Sequence, residues 1–200
     1  MSPKRLFDAT LAGVGLVLSA PLWVLIAAAI RLDSRGPVFY TQKRVGQGGR
    51  LFDVLKFRSM VEDAEWRVGP RQAVENDPRV TRVGRWLRAT AMDELPQLWN
   101  IFRGDMSFVG PRALRPEEIE VRGAASRIDA VEGFAARSSV PPGLTGVAQI
   151  YAPRDVTRRQ KFRFDRVYIR RQTLGLDVRL ILLSFWITFR GTWEARGRKY

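Results

Sequence analysis

The chain has 200 residues, with 34 Lys and Arg against 20 Asp and Glu, a net charge of +14, and neither histidine nor cysteine. Imidazole and thiol chemistry, disulfides and thiolate metal sites are excluded, which directs attention to carboxylates as nucleophile, base or metal ligand. The length suits one domain with its own core, the 46% hydrophobic content excludes a disordered basic tail, and the basic balance suits nucleic acid, an anionic membrane surface or a polyphosphate substrate.

The first element is apolar. Leu11 to Ile30 carries no charge and is long enough, at about 20 residues, to match a hydrocarbon layer. Arg31-Leu32-Asp33-Ser34-Arg35 follows where a cleavable signal would have small residues. Lys4 and Arg5 precede the segment, and Arg31, Arg35, Lys43 and Arg44 follow it, so positive-inside reasoning places both ends on the cytoplasmic face. A straight span cannot meet that demand. Pro21, with Ser19 two residues earlier, marks a break, and the segment is expected to be a helix–break–helix dipping into one leaflet. A single-pass anchor is the alternative.

Val38–Val45 and Leu51–Arg58, separated by Gly46-Gln47-Gly48-Gly49, read as a β-hairpin. Period-2 alternation puts Lys56 and Arg58 on one face, where two cations could hold phosphates or face solvent. Val61 to Glu65 reads as a helical turn, Val68 to Arg79 as a loop, and Val80 to Arg88 as a basic helix with Val83, Trp86 and Leu87 on its apolar stripe.

The densest chemistry follows in Ala91-Met92-Asp93-Glu94-Leu95-Pro96-Gln97-Leu98. Proline is tolerated in a first helical turn, so a helix from about Glu94 to Ile101 would place Asp93 at its N-cap and both carboxylates at the positive end of the dipole. Amides at such an end also bind phosphate. Gly104-Asp105 and Gly110-Pro111 are turn signals that return Arg112, a bidentate phosphate partner, toward the same region. Glu117 to Phe134 reads as a helix opened by Pro116, and Ser138 to Gln149 as a loop. Arg158 to Arg171 interleaves cations with aromatics, which suits a membrane interface or single-stranded nucleic acid. The apolar Leu180 to Phe189 is too short to span.

Lys4-Arg5-Leu6-Phe7-Asp8, Gly36-Pro37-Val38-Phe39-Tyr40, Lys56-Phe57-Arg58-Ser59-Met60, Asp93-Glu94-Leu95-Pro96-Gln97-Leu98, Gly104-Asp105-Met106-Ser107, Val109-Gly110-Pro111-Arg112 and Pro142-Gly143-Leu144-Thr145-Gly146 occur in that order. From about Lys4 to Gly191 the chain resembles the bacterial sugar transferases, the monotopic polyprenyl-phosphate phosphoglycosyl transferases. That resemblance implies a sugar-1-phosphate moved from a UDP-sugar to a polyprenyl phosphate such as undecaprenyl phosphate. Asp93 would be the nucleophile, with Glu94 beside it holding Mg²⁺. Lys56, Arg58, Arg88, Arg112, Thr145, Gln149, Arg154 and Asp165 are the substrate-binding candidates. Asp165 and Tyr168 fit the family's Asp-x-x-Tyr, and Asp177 matches a further aspartate. The chain departs from the family at Ala91-Met92 and Ala113, at Ala20 between Ser19 and Pro21, and at Gln149-Ile150-Tyr151-Ala152-Pro153-Arg154, which is one residue longer.

The expected fold is α+β, mostly α with a small β-hairpin. It forms one monotopic domain over 1–200, with a re-entrant membrane helix in 1–35, a cytoplasmic catalytic region in 36–200, and amphipathic helices at the interface. The expected location is the cytoplasmic face of a bacterial inner membrane, with anionic lipid as a further partner. No nucleic-acid partner is expected, and a second copy of the chain is compatible with the sequence. Competing readings are a membrane-anchored nucleic-acid-binding module and a non-enzymatic scaffold in which Asp93 only caps a helix.

Overall fold

The computed structural model describes residues 1–62, 64, 77–116, 127–153 and 156–190. Helix α1, Pro3–Asp33, opens with the Ser2 hydroxyl accepting from Arg5 N, and the proline at its first position needs no amide partner there. It corrects the expected helix–break–helix, because Pro21 lies inside one continuous helix. The proline still divides it. Phe7, Ala12 and Leu16 belong to one hydrophobic core, whereas Leu22, Trp23, Ile26 and Ile30 belong to a second one. The Ser19 hydroxyl, between the two sets, accepts from Trp23 Nε1 at 3.0 Å.

Strands β1, Phe39–Val45, and β2, Leu51–Phe57, form the predicted antiparallel hairpin, with Tyr40 opposite Lys56 and Arg44 opposite Phe52. Helix α2, Arg82–Ala89, starts where the Thr81 hydroxyl accepts from Gly84 N, and Asp33 at the end of α1 accepts from Val83 N. A Cβ at Gly84 would lie 2.0 Å from the Ser59 carbonyl oxygen. Only glycine lets α2 approach the end of the hairpin that closely.

Helix α3, Gln97–Arg103, packs along the first half of α1. The region expected to be loop from Ser138 to Gln149 is instead structured. Strand β3, Ser107–Val109, pairs in parallel with β4, Gly143–Thr145, and helix α5 covers Val147–Tyr151. Gly110 and Gly143 meet backbone to backbone, since a Cβ on Gly143 would lie 2.0 Å from Gly110 N. That contact explains the paired Gly-Pro and Pro-Gly signals as a packing requirement.

The helix expected over Glu117 to Phe134 falls partly outside the described residues. Within 127–134 there is a 3₁₀ turn, Ile128–Ala130, before the short helix α4, Phe134–Arg137, so the α-helical expectation does not hold there. Of the expected turn at Val61 to Glu65, Ala64 N bonds to Val61 O, and residues 63 and 65, like most of the Val68 to Arg79 loop, lie outside the described residues.

The chain ends in α6, Arg158–Arg171, opened by a reciprocal capping box between Thr157 and Gln160, and α7, Leu174–Phe189. Tyr168 Oη lies 2.7 Å from Asp177 Oδ1, and Lys4 Nζ lies 2.7 Å from Asp177 Oδ2, which ties the two C-terminal helices to the start of α1.

Candidate active site

The site is built from the hairpin outward. Asn100 on α3 is buried, and its side-chain amide pairs with the outer edge of β2. Its Oδ1 accepts from Leu55 N at 2.9 Å and its Nδ2 donates to Asp53 O at 2.8 Å. This locks α3 against the strand that carries Lys56. Ahead of α3 the chain makes a 3₁₀ turn, Met92–Glu94, entered through Ala91 at φ 54°. A left-handed alanine costs roughly 1–3 kcal/mol, so the surrounding packing holds it there.

Asp93 is therefore not the N-cap of a helix, as the sequence led us to expect. The helix begins three residues later, after Pro96, and no side chain caps it. The tight turn still brings both carboxylates to one ammonium. Lys56 Nζ lies 2.5 Å from Glu94 Oε1 and 4.0 Å from Asp93 Oδ2.

Environment separates the two acids. Burial pushes the Asp93 carboxyl up to about 6 against the pull of Lys56, with the Glu94 charge adding to the rise and Arg88 opposing it. Burial would raise Glu94 as well, but Lys56 and Arg112 outweigh it and hold that carboxyl below the usual range. Two neighbouring carboxyls driven apart in this way suit different chemical roles.

Glu94 and Lys56 open onto a surface cleft lined further by Arg44, Gln97, Met106 and Arg112. Three cations and one acid along the lining suit an anionic ligand carrying more than one charge. The donor set also suits a hard cation, since Mg²⁺ takes one or two carboxylates together with substrate phosphates and water. Among the described residues no cluster of three or more metal-ligating side chains occurs, and Glu94, with Asp93 beside it in sequence, could offer such an ion one or two carboxylates.

Of the sequence candidates, Asp93, Glu94, Lys56, Arg88 and Arg112 come together. Four others do not. Arg58 is buried and donates to the Ser34 carbonyl at 2.8 Å and the Arg35 carbonyl at 2.5 Å, so it closes the end of α1. The cation is attracted to the negative end of the helix dipole, which makes it structural. The Thr145 hydroxyl accepts from Ser184 Oγ at 3.0 Å and joins β4 to α7. Gln149 Nε2 donates to the Leu144 carbonyl at 3.3 Å. Asp165 is buried against Arg137, with Arg137 Nε donating to its Oδ2 at 3.0 Å. Arg154 lies outside the described residues.

Arg44, Gln97 and Arg137 were missed. The hairpin register places Arg44, Val54 and Lys56 on one face, so extending the alternation of β2 to β1 would have found Arg44. Arg137 carries no such signal, because its partners are reached only through the tertiary fold.

A family model described as bacterial sugar transferase matches residues 1–191. An undecaprenyl-phosphate glucose phosphotransferase of Komagataeibacter xylinus is 46% identical over 190 residues, covering 92% of this chain and 35% of that protein. The exopolysaccharide production protein ExoY of Rhizobium meliloti (strain 1021) is 39% identical over 192 residues, covering 89% of this chain and 81% of that one. A UDP-glucose:undecaprenyl-phosphate glucose-1-phosphate transferase of Caulobacter vibrioides is 43% identical over 188 residues, covering 90% of this chain and 67% of that one. The chain thus spans well under half of the first relative and most of the second. The family match takes in every described element, and the chain belongs to the bacterial sugar transferase family.

Proposed function

We propose that this chain transfers a sugar-1-phosphate from a UDP-sugar to a polyprenyl phosphate such as undecaprenyl phosphate. The substrates named for its relatives support the reading. The observation that carries it is the divided carboxylate pair around Lys56: Asp93 buried with its pKa raised, and Glu94, which lines the cation-bearing cleft, held ionised by Lys56 and Arg112. An Asp93 oxygen attacks the phosphorus that bears the sugar. The bond from that phosphorus to the bridging oxygen breaks, and UMP leaves with the electron pair. An oxygen of polyprenyl phosphate then attacks the same phosphorus and the bond to Asp93 breaks, releasing the polyprenyl diphosphate sugar. Two displacements at one phosphorus divide a difficult transfer into easier steps. Lys56 and Arg112 offset the phosphate charge as it shifts toward the leaving oxygen. Mg²⁺ bound at Glu94 would add charge neutralisation for the diphosphate.

The reading is of a monotopic enzyme at the cytoplasmic face of a bacterial inner membrane. Only 11% of the most apolar stretch of α1 is buried in the protein, which leaves an extended surface for lipid. Arg159, Arg163, Arg166 and Arg170 fall within roughly 60° of one face of α6 by helical periodicity, a ridge suited to anionic headgroups.

Intact-mass analysis of enzyme quenched with UDP-sugar but no lipid acceptor should show the added sugar-phosphate, and Asp93→Asn should abolish it together with UMP release. An unmodified wild-type protein under conditions of UMP release would rule out the covalent scheme. Salt-sensitive oligonucleotide binding without UMP release would favour the nucleic-acid reading instead.

A further inference from the structure

The buried Arg137–Asp165 pair takes no part in the chemistry above, yet it reaches the cleft through the backbone. Both side chains are 4% exposed. Arg137 Nη2 donates to the Arg112 carbonyl at 2.6 Å, and its guanidinium lies 4.6 Å from the centre of the Phe162 ring. The neighbouring carbonyls are held as well. Pro111 O accepts from Gly143 N at 2.9 Å, Ala113 O from Arg44 Nη1 at 3.1 Å, and Leu114 O from Val45 N at 2.9 Å. Four successive carbonyls are thus fixed by donors from β1, α4 and β4, while the Arg112 side chain is exposed at the cleft.

A buried ion pair is a poor device for stability alone, since apolar residues of similar volume often serve as well. A fixed fork that grips one chosen carbonyl is a good device for geometry. Burial raises the Asp165 carboxyl, and Arg137 opposes the rise. We infer that Arg137, held by Asp165, is a positioning residue that fixes the Arg112 peptide so that the Arg112 guanidinium meets the diphosphate of a nucleotide-sugar donor. The inference rests on the transfer reading above.

The test replaces the pair together, Arg137→Met with Asp165→Leu, which removes the grip without leaving a buried charge. The readouts are thermal unfolding, UDP affinity by calorimetry, and KM and kcat for UMP release. A wild-type-like melt with donor KM raised about tenfold or more, UDP affinity lowered in parallel and kcat less affected is the expected result. In an Arg112→Gln background the same pair of changes should cause little further loss, because a residue acting through Arg112 has nothing left to position. If the double variant does not fold, Arg137→Lys keeps the charge beside Asp165 but loses the fork, and should raise KM several-fold. A folded variant with unchanged KM and UDP affinity, or losses that add fully to those of Arg112→Gln, would overturn the proposal. Wild-type protein that binds UDP but releases no UMP would sink the transfer reading, while the affinity comparison would still decide the positioning role. Absence of UDP binding by the wild type overturns both.

Discussion

On the proposed scheme Asp93 must be ionised to attack, so its raised pKa sets a pH window. With a value of about 6, the carboxylate fraction is nearly complete above pH 7 and falls tenfold per unit well below 6. Formation of the phosphosugar adduct at saturating donor should therefore rise through about pH 6 and level off above it. Lys56 pulls Asp93 downward, so Lys56→Met should move that limb to higher pH as well as slow the reaction. Rapid-quench rates over pH 5 to 9 would check both, and an unmoved limb in the variant would count against Lys56 as the main electrostatic partner. The same shift has a sign for stability. A folded pKa above the ordinary 3.8 stabilises the fold in acid, and that contribution is lost as pH rises through about 6. The ionised Asp93 carboxylate is thus held at some expense to the fold, in keeping with the left-handed Ala91 that opens its turn.

At the scale of elements, legibility followed the strength of local signals. The hairpin was readable because alternation and a glycine turn agree, and α2 because Val83 and Leu87 recur at helical spacing. Strands β3 and β4 were not readable. Each has three residues, β3 is buried on both faces, and the partners meet through glycines 33 residues apart, so neither periodicity nor turn spacing marks them. The site divides in the same way. Asp93, Glu94, Lys56 and Arg112 stand in compact motifs, whereas the use of Arg58 to close α1, and of Arg137 to hold the Arg112 peptide, depends on neighbours distant in sequence. The one-turn delay of α3 reflects the 3₁₀ turn that Ala91 opens, which no N-cap pattern announces. Another contact between distant residues is that of Asn100 with β2. Asn100→Ala leaves Leu55 N and Asp53 O without their partner and should destabilise by about 2 kcal/mol in urea unfolding, with adduct formation slowed because Lys56 is less firmly held. Normal stability and rate in that variant would show that β2 is held by other contacts.

For the whole molecule, the proposed orientation at a membrane turns on α1. It is 31 residues long, roughly 46 Å by helical rise, and both its ends are tied to the same body. Near the start, Arg5 donates to the carbonyls of Ile101 and Phe102 on α3, and Asp8 accepts from Phe108 N on β3. Near the end, Asp33 accepts from Val83 N, and Arg58 holds Ser34 and Arg35. The two cores on either side of Pro21 meet at Leu95, the residue after the carboxylate pair, so the site sits where the halves of the helix converge. A straight span would carry one end across the bilayer and break one set of these bonds. The absence of native cysteine makes the matter testable with single-cysteine variants at exposed positions Ser2, before α1, and Arg50, in the hairpin turn. Both should resist a membrane-impermeant maleimide in intact spheroplasts and react after permeabilisation, and both should react in inverted vesicles. Labelling of residue 2 alone from outside would establish a spanning helix, and would require the contacts of Lys4, Arg5 and Asp8 to be given up in the membrane.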